Sequence, residues 1–190
     1  MKKLVLGFVV LWMSLAVMGQ GHLKFKGVEI DGQLMEFVEK LKGEGFVFLS
    51  EEDGIALMEG DFAGYRDCQV AVMTVDETGL VNAVGVVFPH CKEWSVIERN
   101  YDGLKKMLTK KYGEPKRVIE EFQCNFIPDN RLKFIYLTSD QCTWASLFET
   151  EKGDIEIFMQ MVNYNTATVI LKYYDRVNTE AVRSAVMEDL

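Results

Sequence analysis

Two histidines, four cysteines and 29 carboxylates are the side chains of this 190-residue chain from which a reactive centre could be built. Histidine stands only at positions 22 and 90. His22 falls beside a predicted cleavage point and reads as a frayed end, so a Ser-His-Asp or Cys-His centre would have to turn on His90. Cys91 follows directly, but adjacent residues of an extended strand point to opposite faces. His90 therefore reads as a surface histidine at a strand end. Two histidines do not furnish a multi-histidine metal site. Glu51-Glu52-Asp53-Gly54 and Asp76-Glu77 fall in predicted turns, and neither has the alternating ligand pattern of a calcium loop. The remaining acids are numerous enough to supply the facing pair of a glycoside hydrolase, which counting cannot locate. Gly43-Glu44-Gly45 reads as a helix end rather than a phosphate cradle, and no serine lies in Gly-x-Ser-x-Gly. No catalytic residue, metal ligand or cofactor is assigned.

Cys68, Cys91, Cys124 and Cys142 contain no Cys-x-x-Cys pair, so neither a zinc knuckle nor thioredoxin chemistry is indicated. They permit two disulfides or four buried thiols. If bridges form, 68–142 with 91–124 suits a pseudo-symmetric sheet, whereas 68–91 with 124–142 suits sequence neighbours.

The elements that must position these residues follow from hydrophobic period. Leu34, Phe37, Val38 and Leu41 repeat at helical spacing, with Asp31 as N-cap and Gly43 and Gly45 as the stop. Beta signals run over Phe46–Leu49, Ile55–Met58, Cys68–Val75 and Leu80–Phe88, the last two joined by Asp76-Glu77-Thr78-Gly79. A second helix carries Trp94, Ile97, Tyr101, Leu104 and Leu108 on one face and stops at Gly113 and Pro115. Strands are expected again over Leu132–Leu137, Cys142–Phe148, Ile155–Val162 and Thr166–Tyr174, with a short terminal helix from Asn178 or Thr179. On the last two strands Ile155, Ile157, Met159 and Met161 match Ala167, Val169, Leu171 and Tyr173 as a core face. The other face alternates polar groups with rings, the mixture that contact surfaces favour, and Phe158, Lys172 and Tyr174 are its candidate binding residues; the alternative is that the terminal helix or a loop covers them.

At the N-terminus, Lys2 and Lys3 precede an apolar run from Leu4 to Met18, and Val17 and Gly19 suit a cut before Gln20. That is the pattern of a cleaved secretion signal over residues 1–19, too short for a membrane anchor. The 171 residues from 20 to 190 suit one domain with a full core and no membrane span. That portion has 19 Lys and Arg against 29 Asp and Glu, a net charge of −10, which repels nucleic-acid backbones. Lys105, Lys106, Lys110 and Lys111 read as a solvated helix face.

The chain also repeats itself. Asp31-Gly32 and Asp102-Gly103 share an offset of 71, and Cys68 and Cys142 each precede a turn glycine, Gly79 and Gly153, by 11 residues. Helix-plus-meander units over about 28–90 and 93–176 are predicted, with Cys68 and Cys142 at equivalent positions. A duplicated helix and four-stranded meander resembles the beta-lactamase-inhibitor-protein-like fold. Gly-Asp-Phe-Ala-Gly-Tyr at 60–65, Lys-Lys-Tyr-Gly-Glu-Pro at 110–115 and Gly-Asp-Ile-Glu-Ile at 153–157 resemble small uncharacterised exported proteins of anaerobic bacteria. The resemblance implies an α+β fold in which both repeats share one curved antiparallel sheet with helices on one face. It transfers no active site, because fold alone does not give function. The expectation is an exported (periplasmic or extracellular) bacterial binding module, non-enzymatic, whose partner is an extracytoplasmic protein and not nucleic acid. The alternatives are a carboxylate-based hydrolase and a carrier of an apolar ligand.

Overall fold

Alternation of buried and open positions organises most of the chain, and the computed structural model describes residues 21–75, 78–139 and 141–180. The signal-like segment 1–19 and Asp76-Glu77 lie outside the described residues. The fold is α+β, built on one large antiparallel sheet. A two-residue ladder, β1 (Lys24–Phe25) with β2 (Val28–Glu29), leads into helix α1 (Leu34–Gly43). Four strands follow, β3 (Val47–Glu52), β4 (Ile55–Phe62), β5 (Tyr65–Thr74) and β6 (Val81–Val87). Helix α2 (Trp94–Tyr112) precedes β7 (Arg117–Phe122) and helix α3 (Asn130–Thr138). The chain then runs through β8 (Cys142–Thr150), β9 (Gly153–Asn163) and β10 (Thr166–Asp175), and residues 176–180 are helical.

The sheet order is β3-β4-β5-β6-β10-β9-β8-β7. Its central seam joins β6 to β10, with Leu171 opposite Val86 and Tyr173 opposite Val84. One face is continuous apolar side chain. Met58, Val70, Val86, Leu171 and Ile157 lie across it in register, and each is almost wholly buried. The buried stripes of α1 (Phe37, Val38, Leu41) and α2 (Trp94, Ile97, Tyr101, Leu104, Leu108) belong to the same core cluster. Tyr101 shares a 2.7 Å hydrogen bond with Ser146 of β8, which fastens α2 to that face. Burial, opposed by the Ser146 contact, pushes the Tyr101 phenol well above its ordinary range, so it stays neutral and able to donate.

Turn chemistry sets the register of the first meander. Asp53-Gly54 and Ala63-Gly64 take positive φ at both positions, as two-residue hairpins require. The acidic run at 51–54 is thus a strand end and its turn. Gly153 answers a packing demand, because a Cβ there would stand 2.0 Å from the carbonyl oxygen of Tyr174. Gly113 ends α2 with φ 89°, where the sequence places the stop.

Several expectations need correction. Residues 132–137 are helical in α3, not a strand. The run Leu132-Lys133-Phe134-Ile135-Tyr136-Leu137 buries Phe134 and Leu137, three apart, and leaves Leu132 and Ile135 exposed. Strand β7 carries only three apolar residues and is the open edge of the sheet, where charged residues are usual. Asp31 does not cap α1, whose N-cap is Gln33 without a side-chain bond. Counted from the preceding helix, Cys68 and Gly79 belong to the third strand and the turn after it. Counted from α2, Cys142 belongs to the second strand, and Gly153 is the first residue of the third. Their equal spacing therefore does not mark equivalent positions.

Candidate functional site

Period two places Phe158, Lys172 and Tyr174 on the face opposite the core, and register places them side by side. Phe158 is opposite Ile170, Lys172 opposite Glu156, and Tyr174 opposite Asp154. All three are half-buried. The Lys172 ammonium lies 5.4 Å from the Phe158 ring centroid, within reach of a cation–π contact. Across the seam the same rows continue through Gly85, Ala71 and Leu57, and through Ala83, Met73 and Ile55. Leu57 and Ile55 are exposed at 43% and 41%. Gly85, Ala71 and Ala83, small residues in the middle of the rows, thus leave a shallow floor between the large side chains of β9 and β10 and those of β4. Ile119 of β7, exposed at 36%, extends the mixed face at the other edge.

A second feature lies on the core side, where α2, β7, β8 and α3 meet. Trp94, Phe122 and Trp144 pack ring against ring, with centroids 5.1–5.5 Å apart. Phe134 adds a ring 6.0 Å from Trp94, and Tyr136 one 6.1 Å from Phe122. The Lys133 ammonium sits 5.3 Å from the Trp94 centroid and 5.7 Å from that of Phe122. Beside these rings a cleft of about 590 Å³ is lined by Glu98, Glu120 and Glu121 and by the loop residues Cys124, Phe126 and Ile127. Glu120 is ion-paired with Lys105. Partial burial, then Glu120 and Glu98, push the Asp102 carboxyl above its ordinary value against the pull of Lys105, so negative potential gathers here. Phe126, Ile127, Leu132 and Ile135 are exposed around the cleft. The Trp94 indole N–H is buried without an acceptor among the described residues.

His22 is not frayed. Its Nδ1 lies 3.0 Å from Oδ2 of Asp175, a carboxylate with no exposure, and its Nε2 lies 3.5 Å from Asp31. Asp175 also accepts from the backbone N–H of Leu23 at 2.7 Å and of Asn178 at 3.0 Å. The Asn178 amide in turn donates to Asp31 and to the carbonyl of Val81. This clasp ties the first described residues to the end of β10. Its partners are already spent on one another, and among the described residues no serine or cysteine is bonded to His22 as a nucleophile would be.

His90 is exposed and Cys91 buried, as alternation requires, so the pair forms no dyad. The four cysteines are free thiols. Burial raises Cys68 to about 11 and Cys142 to about 12, and it also raises Cys91, so none of these three is a thiolate near neutrality. Cys124 is partly exposed, with its Sγ 2.9 Å from the carbonyl oxygen of Phe126. On α2, Lys105 is engaged by Glu120, and Lys111 lies 4.8 Å from the Tyr112 ring centroid. No group of three or more His, Cys, Asp or Glu among the described residues is arranged to hold a metal ion. No helix among them is long and apolar enough to cross a membrane.

The aromatic cleft escaped sequence reasoning because its parts lie on four elements. The available signal was the density of rings between positions 94 and 144. No protein-family model, curated protein or solved structure matches this chain.

Proposed function

We propose that this is an exported, non-enzymatic binding module that contacts an extracytoplasmic protein through the mixed face of its sheet. One observation carries the reading: Phe158, Lys172 and Tyr174 remain half-open on the same face as exposed Ile55 and Leu57, and the opposite side of the sheet supplies the core. Rings set among charged and small polar groups are the usual make-up of contact surfaces. In the same reading the chain is two helix-plus-meander units, about 28–90 and 93–176, joined through their last strands. Their helices share one side of a curved sheet, as in the beta-lactamase-inhibitor-protein-like fold. The strand order supports it, running outward from the β6–β10 seam to the first strand of each unit at either edge. Residues 1–19 are its secretion signal, supported by charge, apolar length and the small residue before Gln20.

The test is photo-crosslinking in exporting cells from position 172, with position 106 on the exposed side of α2 as control. A protein captured from 172 alone is then titrated against purified wild type and the triple variant Phe158→Ala, Lys172→Ala, Tyr174→Ala. Binding should weaken by more than about tenfold if one ring is a hot spot. The loss of stability should stay below the ~2–5 kcal/mol of a core truncation. Equal binding by the triple variant would remove the face from consideration. A second reading, a carboxylate-based hydrolase, draws on Glu98, Glu120 and Glu121 lining one cleft. It requires that Glu98→Gln abolish a hydrolytic activity while leaving sheet-face binding intact.

A further inference from the structure

We infer that the cleft between α2, β7 and α3 is a receptor site for an organic ammonium group, and that Lys133 fills it as an internal stand-in. The cleft lies on the core side of the sheet, away from the mixed face, so the inference does not depend on that face binding anything.

Three observations converge. Phe122 and Trp144 line the cleft, and Trp94, only 2% exposed, packs against both with centroids 5.1–5.5 Å apart; the faces of such rings attract cations. A cation already occupies this environment, since the Lys133 ammonium is within 5.3 and 5.7 Å of two of the three centroids. The walls are anionic. Of the three glutamates lining the cleft only Glu120 has an ion-pair partner among the described residues. Glu98 and Glu121 keep their charge for whatever enters. The mouth carries Phe126 and Ile127, exposed at 60% and 82%, which suit the methyl or methylene groups beside an ammonium.

Lys133 lies on a nine-residue helix that borders the cleft and is itself half-exposed, so its flexible side chain can swing into solvent. An incoming ammonium replaces one cation–π contact with another and gains Glu98 and Glu121. Quaternary ammoniums and lysine or arginine side chains share the needed chemistry, and aromatic boxes hold both. The ligand is thus a small quaternary ammonium solute or a basic side chain presented by a peptide.

The chain reports its own occupancy. Of its three tryptophans, Trp94 and Trp144 belong to the ring cluster beside the cleft, and Trp12 lies in the 1–19 segment read above as the secretion signal, so emission from Gln20 onward comes from the cluster alone. Tryptophan emission of the whole protein is followed during titration with choline chloride, against sodium chloride at equal ionic strength. A second titration uses a lysine-bearing hexapeptide and its trimethyl-lysine form. Emission should change saturably with at least one probe. Lys133→Met removes the internal competitor and should tighten binding about three- to tenfold, the range expected of one exposed to partly buried cation–π contact. Lys133→Gln should act in the same direction, which guards against a folding defect in either variant. Lys106→Met, on the exposed side of α2, should change nothing. Glu98→Gln and Glu121→Gln should each weaken binding about threefold or more with an unaltered urea midpoint. Saturation by choline alone identifies a free solute, and saturation by the peptides alone a presented side chain. Absence of saturable change in both wild type and Lys133→Met overturns the proposal, and so does weaker binding by both Lys133 variants.

Discussion

Replacing Asp175 by alanine should remove a large part of the stability of this domain, although Asp175 is buried and belongs to neither candidate surface. The carboxylate has no solvent exposure and accepts three hydrogen bonds, from Leu23 N–H at 2.7 Å, Asn178 N–H at 3.0 Å and His22 Nδ1 at 3.0 Å. Alanine strands two buried backbone donors, and a buried polar group without a partner costs about 1–3 kcal/mol each. The loss of a charged acceptor and of His22 brings the expected total to about 3–5 kcal/mol. Against a typical domain stability of about 5–15 kcal/mol, that is roughly a fifth or more. Asp175→Asn preserves shape but offers one oxygen where two are used. Its amide nitrogen must then confront either Leu23 N–H or the side shared by Asn178 N–H and His22, so an intermediate loss of about 1–3 kcal/mol is expected. His22→Ala removes a partly exposed partner and should cost less than about 1 kcal/mol. Urea unfolding at neutral pH reads all three from midpoint and slope. An alanine variant within about 1 kcal/mol of wild type would refute the reasoning. So would an asparagine variant as stable as wild type, since the clasp would then not depend on two oxygens.

Two further outcomes follow from the same geometry. Iodoacetamide at mildly alkaline pH should label Cys124 first, with Cys68, Cys91 and Cys142 reacting only in denaturant, because burial holds those thiols protonated; two or more rapid labels on native protein by mass spectrometry would contradict this. Burial pulls the Asp31 carboxyl up from 3.8, but the Asn178 amide, the Gly32 N–H, His22 and Lys40 together hold it below that value. A depressed folded-state value adds stability that is fully present above the unfolded value and lost as pH falls through the folded one. Wild type should therefore exceed Asp31→Asn in urea midpoint at neutral pH, with the gap closing below about pH 4; a gap that widens in acid would reverse the assignment.

What could be read in the sequence was what obeys a local period. The stripe Leu34, Phe37, Val38, Leu41 and the alternation from Ile155 to Tyr173 mark helix and strand because neighbours a few residues apart share a face. The same rule put Phe158, Lys172 and Tyr174 together on one side of β9 and β10. It failed where a segment was short or placed at an edge. Leu132–Leu137 is too brief for its period to separate helix from strand, and β7 has few apolar residues because an edge strand has little to bury. The equal spacing of Cys68 and Cys142 to their glycines misled for a related reason, since every hairpin of similar length reaches its turn after a similar count. The clasp and the aromatic cleft obey no local rule. His22 meets Asp175 across 153 positions, and Lys133 meets Trp94 only after β7 has been laid along β8. Their residues were visible as types, an early histidine and an excess of rings between 94 and 144, but not as a site. In a fold whose sheet is closed at its centre by β6 and β10, from different halves of the chain, contacts of this kind must be long-range. A function housed in the cleft would accordingly leave no motif in the sequence, because its binding groups are drawn from a helix, two strands and a loop that only the finished sheet brings together.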